Sequence, residues 1–315
     1  MKHRKVRGST NSSNSKATLH SEEYFGEQRD YWWNKDFISL MAKRWSLREA
    51  QSILDVGCGI GHWGLLLLPE LSSSASLVGV DREEIWASKA SQKALEKGFA
   101  GRTQYIKADV ENLPFPDGTF DIVTCQTLLI HVPNVLRALR EMVRVLKVRG
   151  RICVTEPNNL AWAISDPSIV ESTDREVILK RIEFQMICER GKYLLGLGHN
   201  SIGESIPRFL KELSLSDISI YTSDKCFSYL PPYSTFEEQA NIKQELEWST
   251  RDFWIWSLDE TREYFTAGGG APKDFESYWS IVIKDKSAAL QMLKKELYFK
   301  PGGGITYLFS GRKSE

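Results

Sequence analysis

The chain has 315 residues with 41 basic and 41 acidic side chains and a formal net charge of +0. That length can bury a large apolar core, and the balance excludes the strongly basic footprint of a dedicated nucleic-acid binder. Cys58, Cys125, Cys153, Cys188 and Cys226 lie far apart with no C-x-x-C pair, so neither a metal site nor a disulfide framework is expected and the compartment reads as cytoplasmic. No apolar run is long enough to span a bilayer, so no membrane partner is expected either.

Residues 1–20 hold few apolar side chains and are expected to form a disordered tail, with a nuclear address or phosphate-binding arm as the weaker alternative. From Ser21 the chain becomes aromatic, and Phe37, Leu40, Met41 and Trp45 at helical spacing predict a packing helix. "QSILDV" then reads as a buried strand, followed by a glycine loop and a helix from Leu65 to Leu71. "SLVGVD" is a second strand, followed by a helix from about Glu83 to Gly98. Strands are predicted again at "TQYIKA", "FDIVTC" and "GRICVTE", with the helix "VLRALREMVRVL" between the last two. This alternation predicts an α/β chain with a doubly wound, Rossmann-like parallel sheet over a core of residues 21–157.

After Glu156 the alternation stops. Residues 158–202 are expected to be a helical lid segment with Ile178, Ile182 and Met186 on one face, and 203–225 a core helix and the strand "LSDISIYT". Residues 226–302, rich in Trp, Tyr and Phe, are too long for a plain connection and read as an aromatic helical insertion over the open edge of the sheet. "ITYLFSGRK" within 303–315 is the last strand. The triplets "GGG" at 268–270 and 302–304 are expected to be flexible joints of that insertion.

The loop "DVGCGIGHWG" allows two registers. Gly59, Gly61 and Gly64 spell the dinucleotide fingerprint G-x-G-x-x-G, whereas Asp55, Gly57, Gly59 and Gly61 spell D-x-G-x-G-x-G. In a doubly wound fold either loop faces a ligand beyond the carboxyl ends of the strands. A carboxylate at position 55 would repel a pyrophosphate but accept hydrogen bonds from a cationic amine, which argues for S-adenosylmethionine over NAD. Asp81, about twenty residues past the loop, is placed to take both ribose hydroxyls, and Arg82 follows it into the site. Asp109 closes the third strand, where it can meet an adenine amino group between the apolar walls of Val110 and Leu113.

With "ILDVGCGIGHWG", "VGVD", "ADVENLPFPDGTFDIV" and "EMVRVLKVRGRICVTEP" in that order, the sequence resembles the class I S-adenosylmethionine-dependent methyltransferases, in particular the small-molecule group called methyltransferase type 11. The resemblance implies a seven-stranded sheet whose last strand is antiparallel, and cofactor roles for Asp55, Gly57, Gly59, Gly61, Asp81 and Asp109. One departure is "VRG" at 148–150, where the family has a proline-glycine or glycine-glycine turn; it is expected to alter the turn and not the chemistry.

Methyl transfer from a sulfonium needs alignment and exclusion of water, and a base only where the acceptor loses a proton. His131 in "CQTLLIHVPN", after the fourth strand, is the candidate general base, with pocket shaping or helix capping as the alternative. His199 is a second candidate, and His62 starts the helix after the glycine loop. Gln126 can bond the cofactor or serve packing, and Tyr31 or Trp33 can touch it or belong to the core, in a region that also holds Tyr24 and Trp32. Trp248, Phe253, Trp254, Trp256, Tyr278 and Trp279 either line an apolar acceptor pocket or hold the insertion together. "LPPYS" at 230–234 resembles the P-P-Y motif of amino-methyltransferases, but Leu230 stands where that motif has Asn or Asp. No catalytic role is assigned to it.

The expected activity is transfer of a methyl group from S-adenosylmethionine, leaving S-adenosylhomocysteine, to an O, N, S or C nucleophile of a small apolar or aromatic molecule. The alternatives are a protein or RNA acceptor, and a non-catalytic S-adenosylmethionine-binding scaffold. Nothing in the sequence sets the oligomeric state.

Overall fold

In the computed structural model, which describes residues 27–164 and 174–315, the expected tail over 1–20 and Tyr24 lie outside the described residues. Strands β1 (Ser52–Val56), β2 (Ser76–Asp81), β3 (Thr103–Lys107), β4 (Phe120–Gln126), β5 (Leu146–Asn158), β6 (Ser216–Thr222) and β7 (Ile305–Arg312) form one seven-stranded sheet in the order β3-β2-β1-β4-β5-β7-β6. The first five pair in parallel, and β7 runs antiparallel between β5 and β6. The strand order reverses between β1 and β4, which puts a crevice beyond their carboxyl ends.

Alternation along the strands divides the interior in two. Leu54, Val56, Val123, Ile152 and Val154 face one side and pack on helix α4 (Val135–Val145) and α7 (Ile206–Glu212), through Ala138, Leu139, Met142, Ile206 and Leu210. Ile53, Leu77, Ile122, Cys153 and Leu308 face the other and pack on α1 (Lys35–Arg44) and α2 (His62–Leu67) through Phe37, Met41, Trp63 and Leu67. Helix α3 (Glu84–Glu96) lies on β2 and β3. Of the predicted stripe on α1, Leu40 is 42% exposed, because its neighbours bury only the arc of Phe37, Ile38 and Met41. At "VRG" α4 runs directly into β5, and Arg149 takes the left-handed conformation (φ 64°) that a glycine turn would have supplied.

Beyond β5 come α5 (Asn159–Ile164) and α6 (Arg175–Leu194), and between β6 and β7 come α8 (Phe236–Ser249), α9 (Leu258–Ala267) and α10 (Phe275–Lys294). Capping boxes start two of these helices: Thr235 with Glu238 for α8, and Ser257 with Glu260 for α9. The aromatic rings of the insertion pack on one another. Phe184 and Cys188 of α6 meet Trp256, Tyr264, Phe265, Phe275, Trp279 and Val282 in a core separate from the two that flank the sheet.

Two sequence expectations change here. On α6 the buried side chains are Phe184, Gln185, Cys188, Glu189 and Lys192, while Ile178 and Ile182 are half-buried and Met186 is 53% exposed. The helix has two neighbours, one aromatic and one polar, so its buried arc is not the apolar one. In the glycine triplets Gly268, Gly270, Gly302 and Gly304 are close-packing positions and not flexible joints, whereas a Cβ on Gly269 would meet nothing within 4 Å. A Cβ on Gly268 would run into the carbonyl of Ile187, one on Gly191 into that of Tyr264, and one on Gly302 into that of Phe227. At the first two, α6 and α9 cross backbone to backbone.

Candidate active site

The loop from β1 to α2 is built as the D-x-G-x-G-x-G register requires. Gly57, Gly59 and Gly61 all adopt positive φ, at 68°, 50° and 79°, a conformation that side-chain-bearing residues rarely take. The loop is pinned from β2, with the Cys58 amide donating to the Val80 carbonyl (2.9 Å) and the Gly59 amide to Asp81 Oδ2 (3.0 Å). Gly64, the third glycine of the competing register, sits inside α2. A Cβ there would stand 2.9 Å from both Asp55 Oδ2 and Leu77 Cδ2, so this glycine serves helix-to-sheet packing.

The three acids sit at three successive strand ends in different surroundings. Asp55 is buried at 1% exposure; its Oδ2 accepts from the Gly64 amide (2.9 Å), and Oδ1 has no partner among the described residues. Burial pushes its carboxyl up to about 7. Asp81 is buried and accepts from the amides of Gly59 and Glu83 (3.1 Å on Oδ1), yet an ionised carboxylate keeps further lone-pair positions for a ligand. Asp109 is exposed, with Oδ1 turned back to the Glu111 amide (2.8 Å), and Val110 beside it is half-buried. The Arg82 side chain is 77% exposed and lies 3.9 Å from Glu83. Gln126 ends β4, half-buried, one residue before Thr127 at φ 54°.

The segment before α1 packs against the start of α2, where the loop ends. A short 3-10 turn (Glu27–Tyr31) presents Asp30 to His62 Nδ1 (3.2 Å) and Lys93 Nζ (3.3 Å), joining the start of α2 to α3. Burial pushes the His62 imidazole down to about 4, and its hydrogen bond holds the Asp30 carboxyl below the usual carboxylate range. Tyr31 is half-buried. The Trp33 ring stacks on Phe37 and lies 5.2 Å from Trp63, while its indole N–H is buried without a partner among the described residues. Trp63 donates to Thr124 Oγ1 of β4 (2.8 Å).

His131 ends a 3-10 turn (Leu129–His131) after β4 and is exposed. What holds that turn is a buried polar cluster that sequence reasoning missed. Glu156 of β5, at 0% exposure, accepts from the amides of Leu128 (2.9 Å) and Leu129 (2.7 Å) through Oε1. Lys192 of α6, at 3% exposure, donates to the Ile130 carbonyl (3.0 Å) and Asn200 Oδ1 (3.1 Å). Glu189 accepts from Ser201 Oγ (2.7 Å) and Gln185 Nε2 (2.9 Å). Burial pushes the Glu156 carboxyl up to about 8 and the Lys192 ammonium down to about 8. The available signal was the spacing of Gln185, Glu189 and Lys192, a polar stripe on one helix face.

His199, the second candidate base, accepts from the Ser201 amide through Nδ1 (3.2 Å). Tyr233 of the P-P-Y segment is buried and donates to the Tyr298 carbonyl (3.0 Å), a packing role. Among the described residues no group of three His, Cys, Asp or Glu side chains could hold a metal ion, and no helix is long and apolar enough to cross a membrane.

Residues 47–210 match the family model described as a methyltransferase domain. The chain belongs to this methyltransferase-domain family. It is 34% identical over 150 residues to the uncharacterized methyltransferase YcgJ of Bacillus subtilis (strain 168), a match covering 48% of this chain and 53% of that protein. It is 32% identical over 133 residues to a demethylmenaquinone methyltransferase of Listeria monocytogenes serotype 4a (strain HCC23), covering 41% and 54%. The chain thus spans about half the length of the curated relatives it matches. The solved structure of the cyclase SpnF shares the fold at 18% identity with a TM-score of 0.50, covering 92% of this chain and 89% of that one.

Class I methyltransferase domains of this kind imply use of S-adenosylmethionine. The residues present fit that group. The left-handed glycine loop lies at the carboxyl end of β1, and Asp55 Oδ1 and the Trp33 indole N–H are buried polar atoms without partners among the described residues.

Proposed function

We propose that this methyltransferase-domain protein transfers a methyl group from S-adenosylmethionine to an O, N, S or C nucleophile of a small, apolar or aromatic molecule. The observation that carries the reading is the D-x-G-x-G-x-G loop, left-handed at all three glycines and pinned by Asp81. When bound, S-adenosylmethionine supplies an electrophilic methyl whose transfer is downhill. The protein's share is alignment and the exclusion of water, worth roughly 7 to 11 kcal/mol of barrier.

In this reading Asp55 receives the cationic amine, Asp81 the ribose hydroxyls, and Asp109 with Val110 the adenine. Gln126, Tyr31 and Trp33 close the crevice, with Arg82 at its rim. His131, on its clamped turn, takes a proton from acceptors that must lose one. The helices α6 and α8–α10 serve as a lid. The demethylmenaquinone methyltransferases among the relatives support an apolar ring-bearing acceptor.

Calorimetric titration with S-adenosylhomocysteine, and with NAD in parallel, tests the reading. Saturable binding of S-adenosylhomocysteine on the order of micromolar Kd, without heat from NAD, is expected; NAD binding alone would overturn it. His131→Ala should lower turnover of a proton-losing acceptor at least about tenfold while leaving S-adenosylhomocysteine affinity unchanged. Equal loss of both would make His131 a pocket residue.

A further inference from the structure

Among the described residues, Asn241 is the one amide side chain whose oxygen and nitrogen are both buried and both without a hydrogen-bond partner. Its exposure is 0%. A buried amide left in that state carries its full desolvation penalty, and a leucine of similar size would avoid it. A partner that arrives with a ligand would remove that penalty.

The position of Asn241 puts that ligand beside the N-terminal segment. It stands one helical turn beyond Glu237 on the same face of α8. Glu237 is tied to the N-terminal segment through Lys225, whose Nζ reaches Glu237 Oε2 (2.7 Å) and Asn34 Oδ1 (3.2 Å). Helix α8 packs on the turn Glu27–Tyr31, which Asp30 fastens to His62 at the end of the glycine loop and to Lys93 of α3. In that N-terminal segment Gln28 Oε1 and Trp33 Nε1 are also buried without partners among the described residues. The adjacent face of α8, at Ile242, is filled instead by Tyr229, Tyr233 and Leu293.

The chemistry of an amide selects the ligand class. A carboxylate would satisfy the Asn241 nitrogen and leave its oxygen facing an anion, and an ammonium would do the reverse. A neutral group that carries a donor and an acceptor side by side, as a carboxamide or lactam edge does, meets both at once. That conclusion does not depend on which atom is oxygen and which nitrogen, since neither has a partner among the described residues. We propose that Asn241 is the polar anchor of the acceptor site, between α8 and the N-terminal segment, and that it takes a small molecule with a carboxamide or lactam edge. This rests on the methyl-transfer reading and names the substrate class of that same site.

The test uses the full chain saturated with S-adenosylhomocysteine and titrated calorimetrically with benzamide, benzoate and benzylamine. Benzamide should bind at least about tenfold more tightly than the other two. Asn241→Leu should abolish that preference and leave S-adenosylhomocysteine affinity unchanged. Asn241→Asp, nearly isosteric, should weaken benzamide and strengthen benzylamine, and it decides the matter if the leucine variant does not fold. Equal or absent binding of the three probes by the unmodified protein, or benzamide affinity surviving both substitutions, would overturn the proposal. Failure of S-adenosylhomocysteine to bind would instead remove the methyl-transfer reading, because the three probes can be compared without it.

Discussion

Lys192→Met should lower the stability of the protein by roughly 3 kcal/mol and loosen the turn that carries His131. The ammonium is 3% exposed and donates to the Ile130 carbonyl and Asn200 Oδ1. Hydrogen bonds from a charged donor contribute about 1.5–3 kcal/mol each, and removing the donor leaves buried acceptors unpaired. Methionine fills the volume, so the loss reports the polar contacts and not a cavity. Hydrogen exchange at residues 129–132 should accelerate while amides of β1 stay protected, and protection unchanged at 129–132 would show that Lys192 does not position the turn.

The same variant carries a pH signature with a defined sign. Burial already holds the Glu156 carboxyl up at about 8, and the Lys192 charge is one of the influences keeping it from going higher. An acid with a raised folded pKa binds more protons folded than unfolded, so its contribution to stability is present at low pH and is lost as pH rises from about 4.5 through 8. Without Lys192 that window widens upward. The deficit in melting temperature of Lys192→Met should therefore grow from pH 5 to pH 8, and a deficit that shrinks would refute the coupling.

Asp81→Ala should weaken S-adenosylhomocysteine binding about a hundredfold, or about 2.7 kcal/mol. Two effects combine. The carboxylate that would meet the ribose hydroxyls is removed, and the amides of Gly59 and Glu83 lose their acceptor. The second effect alone should cost about 1–3 kcal/mol of stability, because Asp81 is 5% exposed and water reaches the site poorly. Titration of the variant separates the two: unchanged affinity in a less stable protein would confine Asp81 to holding the loop.

Much of the fold was legible because local patterns and tertiary demands agree there. β1 and β2 are short apolar runs ending in an acid, α4 repeats its apolar residues at helical spacing, and the glycine loop between β1 and α2 has one backbone conformation that suits it. Where they disagree the reading fails. On α6, Ile178, Ile182 and Met186 make a plausible apolar line. The helix buries Gln185, Glu189 and Lys192 instead, because Asn159, Ser201, Ile130 and Asn200 offer those side chains hydrogen-bond partners.

The amino-acid sequence by itself determined the class of fold, the D-x-G-x-G-x-G register and the strand-end acids, since each depends on spacing within a few residues of chain. Only the tertiary structure decided which side chains meet across long separations. Asp30 reaches the start of α2, Lys192 reaches the turn after β4, and the Gly191–Gly268 crossing brings two helices into backbone contact. It also left Asn241 buried with no hydrogen-bond partner among the described residues. These features have no local signature, because the cost of burying a polar group is set by what other segments bring to it.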